Sequence, residues 1–235
     1  MKVTLESIRV SLLDQADEAT RETARRFFKE EVKTHGVKSA AVTKIAKAAT
    51  KDMKGASKAE VFALCDKLLE SRYLEEGGVA CALVYDRAAE FEPEDLAVFE
   101  GWLERHVSNW ASCDTLCNHS VGTLLEMYPE RIERVKGWAA SANRWKRRGA
   151  AVSLIIPARK GMFLDEIFEI ADTLLRDGDD LVQKGYGWML KATSEANLEE
   201  VFSYVMSKRE VMPRTAFRYA LEKMPPEMRK QAMAG

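Results

Sequence analysis

Asp114 follows Trp110 by four residues in the run Ser108-Asn109-Trp110-Ala111-Ser112-Cys113-Asp114. On a helix that spacing stacks an indole and a carboxylate on one face, a turn apart. A fixed carboxylate stabilises positive charge that develops on a substrate, and an indole face attracts a cation. Two later windows have similar potential. In Asn143-Arg144-Trp145-Lys146-Arg147-Arg148-Gly149-Ala150-Ala151, Arg144 and Arg148 share a helix face, with Lys146 and Arg147 beside them. In Gln183-Lys184-Gly185-Tyr186-Gly187-Trp188, bare backbone at Gly185 lies one turn before an indole. Two glycines inside a helix cost about 1 kcal/mol each relative to alanine, which is easier to understand where something must come close. Each window also has a plain structural reading: tryptophan as core, aspartate as a cap, arginines as a solvated face, glycines as helix–helix spacers.

Other chemistry is thinly represented. Cys113-x3-Cys117-x-His119 offers three possible zinc ligands without an evident fourth, so the cysteines read as small buried hydrophobes and no metal is expected. P-loop, G-x-S-x-G and H-E-x-x-H patterns do not occur, and no organic cofactor is implied. Four cysteines in a chain of 235 residues do not make a disulfide framework.

The formal charge, 36 Lys+Arg against 37 Asp+Glu, is −1, and 46% hydrophobic residues suffice for a core. This composition excludes a disordered or collagen-like chain. No apolar run reaches the roughly 20 residues that cross a bilayer, and no signal peptide is visible, so a soluble, cytoplasmic protein is expected. The near-neutral total hides segregation. Residues 21–58 carry eleven Lys/Arg against four acids, and residues 131–160 carry nine against Glu133 alone, while acid collects in Glu90–Glu104 and Asp165–Asp180. Because screening confines a charge's field to about 8–10 Å, a basic stretch attracts phosphate even on a neutral molecule. The competing reading is solvated helix faces.

These residues need helices to position them. Strand signals are nearly absent, whereas helical stripes recur: Leu5, Ile8, Leu12 and Leu13; Val42, Ile45, Ala46 and Ala49 with Ser39 as N-cap; Val61, Leu64, Cys65, Leu68 and Leu69 after Ser57 and Glu60 in a capping-box pattern. From Pro93 to Pro225, Gly and Pro breakers separate segments of about 12–18 residues with short links, the rhythm of antiparallel helix pairs. The expected architecture is all-α, a single domain over residues 1–235, an α-solenoid of HEAT-like repeats with a concave basic face.

Trp110-x3-Asp114, then Asn143-x-Trp145-x-x-Arg148-x-Ala150, then Gln183-Lys184-x-x-Gly187-Trp188 resemble, in order and spacing, the AlkD-like DNA alkylation repair glycosylases built of HEAT-like repeats. Similarity extends back through Leu74-Glu75-Glu76 and Gly36-Val37. Phe27 departs from it, standing where some members carry a tyrosine whose hydroxyl contacts DNA. The resemblance implies excision of cationic alkylpurines, 7-methylguanine and 3-methyladenine, from duplex DNA by hydrolysis of the N-glycosidic bond. Asp114, Trp110 and Trp188 would form the catalytic set. Arg148, Arg144, Arg147, Lys146 and Lys184 would meet the DNA, with no obligate protein partner. A non-catalytic DNA-binding paralogue and a protein scaffold with core indoles are the rival readings.

Overall fold

The computed structural model describes residues 3–234, and the chain forms two compact units, Met1–Leu116 and Cys117–Gly235. Among the described residues there is no strand, only an isolated bridge between Lys33 and Tyr73. The fold is an α-solenoid of packed helix pairs.

The N-terminal unit holds α1 (Leu5–Leu13), α2 (Glu18–Phe27), α3 (Ser39–Asp52), α4 (Lys58–Glu70), α5 (Leu74–Asp86), α6 (Asp95–Arg105) and α7 (Trp110–Thr115). Local chemistry sets most starts. Thr4 and Ser7 cap α1 reciprocally, Asp17 accepts from the Thr20 amide at α2, and Ser57 with Glu60 forms the capping box expected at α4. At α3 the structure differs from the sequence reading. Lys38 is the extended N-cap, with no side-chain bond, and Ser39 is already helical. The chain there is fixed by a distant residue. Glu75, 4% exposed, accepts from the Thr34 hydroxyl at 2.6 Å and from the amides of His35, Gly36 and Val37 at 2.9, 2.9 and 3.0 Å. Burial pushes this carboxyl up, but those hydrogen bonds outweigh it and hold Glu75 below the ordinary glutamate value. Gly36 turns with φ +81°, and a Cβ there would lie 2.5 Å from the Asp17 carbonyl oxygen. The neighbouring Glu76 receives Arg9 through two nitrogens at 3.0–3.1 Å and sits 2.9 Å from His35 Nε2, whose ring stacks on Tyr73. The Gly36-Val37 and Glu75-Glu76 motifs are thus two sides of one joint, which delivers the chain into α3.

The C-terminal unit holds α8 (Gly122–Met127), α9 (Ile132–Trp138), α10 (Arg144–Val152), α11 (Ile155–Arg159), α12 (Leu164–Leu174), α13 (Asp180–Thr193), α14 (Leu198–Ser207), α15 (Arg214–Leu221) and α16 (Pro226–Met233). Its centre is α13, which packs on α10, α11, α12 and α15. Close approach explains its glycines. A Cβ on Gly187 would lie 2.7 Å from Tyr219 Cβ and 2.8 Å from the Ala216 carbonyl oxygen, so α15 could not seat against it. A Cβ on Gly185 would press Arg148 Cγ at 3.3 Å and Val152 at 3.6 Å. The glycines serve helix packing, the plain alternative of the sequence reading.

Candidate active site

Trp110 opens α7 as its first helical residue, set by Asn109, whose side chain accepts from the Ser112 amide at 2.9 Å. Asp114 follows one turn later on the same helix, and both side chains are partly exposed. The Trp110 ring lies 5.3 Å from Phe28 and 5.8 Å from Phe27, centroid to centroid, and Phe27 contacts Phe28 edge-on at 5.4 Å. Phe28 is buried at 8% exposure, while Phe27 is 68% exposed, so the trio runs from core to solvent beside the carboxylate's helix. Directly after α7 comes a π-helical turn, Leu116–Val121, a wider ring that is frequent at functional sites.

In the C-terminal unit, Trp188 is partly exposed on α13. The other tryptophans behave differently: Trp102, Trp138 and Trp145 are buried at 1%, 2% and 8%. The two indoles that the resemblance assigns to the catalytic set are therefore the two that are partly exposed, whereas Trp145 of the second motif is buried.

The basic residues of α10 and α13 are engaged within the fold. Arg144 pairs with Asp179 at 2.8 Å and lies over the Trp145 ring at 5.0 Å. Arg147 meets Asp177 at 2.6 Å and donates to the Ser141 and Ala142 carbonyls at 3.0 Å. Lys184 pairs with Asp180 at 2.7 Å, and Gln183 donates to the Asp177 carbonyl at 2.8 Å. Asp179 also caps α13 by accepting from the Leu181 amide. Arg148, expected to meet DNA, is only 5% exposed and donates through Nη1 to the Leu181 carbonyl. Lys146 is partly exposed on α10. The four cysteines are buried free thiols, and His119 is exposed. Among the described residues no group of His, Cys, Asp or Glu is placed to hold a metal ion.

A family model described as "DNA alkylation repair enzyme" matches residues 8–224. The chain belongs to that family. A solved structure titled "Predicted DNA alkylation repair enzyme from Enterococcus faecalis" has the same fold, with a TM-score of 0.80 at 17% identity over 90% of this chain and 98% of that one. No curated protein matches. Membership in a DNA alkylation repair family makes DNA the partner to be accommodated. Among the described residues no helix is long and apolar enough to cross a membrane.

Sequence reasoning points to Trp110, Asp114 and Trp188, which are all partly exposed, and misses two things. It noted Phe27 only as a missing hydroxyl, whereas Phe27 and Phe28 together wall the Trp110 indole. The tandem aromatic pair was the available signal. It also counted the cations of α10 without their counter-ions, which lie 30–35 residues further on.

Proposed function

We propose that this DNA alkylation repair enzyme is a DNA glycosylase that releases cationic N-alkylpurines, 7-methylguanine and 3-methyladenine, by hydrolysing the N-glycosidic bond. Alkylation at a ring nitrogen makes the base a good leaving group, so the remaining barrier is positive charge growing on the deoxyribose. Asp114 is the carboxylate that stabilises this charge and orients the attacking water. Removing such a stabiliser costs about 3–4 kcal/mol, or 10²–10³ in rate. Trp110 and Trp188 present π faces to the charged lesion or sugar, each worth about 0.5–2 kcal/mol. That is too little to drive cleavage but enough to favour a cationic base over a normal one.

The observation that supports this reading most is the accessibility of Trp110 and Trp188 beside three buried tryptophans. A scaffold with core indoles would leave that contrast without a cause. Arg148 enters the reading as a positioning residue, because its buried guanidinium joins α10 to the helix that carries Trp188. The test is release of free base from methylated duplex DNA by wild type and by Asp114→Asn. The variant should lose about 10²–10³ in rate while binding duplex as well as wild type does. Equal rates would remove Asp114 from the mechanism.

A further inference from the structure

We infer that the solvent face of α3 is a phosphate-gripping ridge that supplies much of this protein's attraction for duplex DNA, a role that rests on the DNA-repair reading above. Lys44, Lys47 and Lys51 recur at i, i+3 and i+7 and all three are exposed. At 100° per residue they fall within about 60° of one another, directly opposite the buried Ala46 and Ala49. None of the three has a hydrogen-bonded or ion-pair partner among the described residues. Ala40, a turn before Lys44, and Ala48, a turn after it, flank the lysines and are also exposed, so nothing bulky or acidic separates the ammonium groups. Asp52 is the acid of this helix, and it sits a quarter turn away from the ridge.

Lys44 and Lys51 are seven residues apart, about 10 Å along the helix. Duplex DNA presents one phosphate per about 3.4 Å of each strand, so the ridge matches several charges at once. Flexible ammonium groups on alanine-flanked stems suit a phosphate row, which demands charge and reach more than fixed geometry. An anionic membrane is the poorer occupant, because α3 exposes no large apolar side chain and its apolar stripe is spent on α5 and α1.

The experiment titrates undamaged duplex DNA with full-length wild type, with the triple variant Lys44→Ala, Lys47→Ala, Lys51→Ala, and with the Lys→Arg triple at the same positions. Each lysine that meets a phosphate contributes about 0.9 to the slope of log K against log salt, so the alanine triple should lose about 2.7 from that slope. Between 50 and 200 mM salt the wild type would then weaken about 40-fold more than the alanine triple. The arginine triple keeps the wild-type slope. An alanine triple with wild-type affinity and slope overturns the proposal. So does loss of binding confined to a polyglutamate peptide or to anionic vesicles, which would assign the ridge to another partner. The substituted side chains make no hydrogen bond or ion pair among the described residues, and an unchanged unfolding midpoint verifies that the variant is folded. Because the DNA is undamaged, this titration reads the ridge even if base release fails, so the two proposals fail separately.

Discussion

In the C-terminal unit Arg144, Arg147 and Lys184 each meet a carboxylate, from Asp179, Asp177 and Asp180, whereas Lys44, Lys47 and Lys51 of α3 meet none among the described residues. The two stretches have nearly equal excess charge in the sequence, +8 over residues 131–160 and +7 over residues 21–58. Their physical uses are opposite. A cation within 3 Å of a carboxylate has its distant field largely cancelled, and the pair becomes a joint between chain segments. Here the joint fastens α10 to the start of α13 and so fixes the helix that carries Trp188. An unpaired lysine on a helix surface joins nothing, and its field reaches a Debye length into solvent.

That contrast can be broken or sharpened, starting with the largest effect. Asp177→Ala removes the partner of Arg147 from a site where the carboxylate is 9% exposed and the guanidinium 20%. Breaking such a pair should cost about 3 kcal/mol, read as a lower denaturant midpoint. An unchanged midpoint would make this pair ornamental. Gly187→Ala pushes a methyl into Tyr219 and the Ala216 backbone and should destabilise by about 1–3 kcal/mol. The smallest effect is Arg147→Ala on DNA binding. With its charge already neutralised, it should change the salt slope by less than about 0.3, against about 2.7 for the lysine triple. A full unit lost at Arg147 would erase the distinction between the two regions.

A further difference lies in acid. Glu75 titrates below the ordinary glutamate value, so its stabilisation is complete above about pH 4.5 and fades as pH falls through the lowered folded value. The protection of the His35, Gly36 and Val37 amides, taken relative to intrinsic exchange at each pH, should therefore fall as pH drops through that lowered value. In Glu75→Gln these amides should already be less protected at pH 7, with little further loss of protection in acid.

What the sequence could disclose depended on how far apart the interacting residues lie. The Ser57–Glu60 cap and the Trp110–Asp114 pair are separated by three or four residues, so helical spacing alone brings each together. The helical class followed from the same local periodicity. Ser39 failed as a cap because Glu75, 36 positions away, decides where the backbone turns helical. The cations of α10 were legible as charge but not as paired charge, since Asp177 and Asp179 come from another helix junction. Gly185 and Gly187 signalled a close approach, but only the packed fold names Arg148, Val152, Ala216 and Tyr219 as what approaches.

Among the described residues the ammonium groups of Lys44, Lys47 and Lys51 make no hydrogen bond or ion pair that holds α3 in place. Their number can therefore rise or fall over generations without disturbing how the chain folds. Tightness of grip on a polyanion and durability of the scaffold become separately adjustable traits, one residue at a time. On the ridge proposed for α3, single lysine exchanges would tune the grip on DNA while the joints around α13 stay as they are.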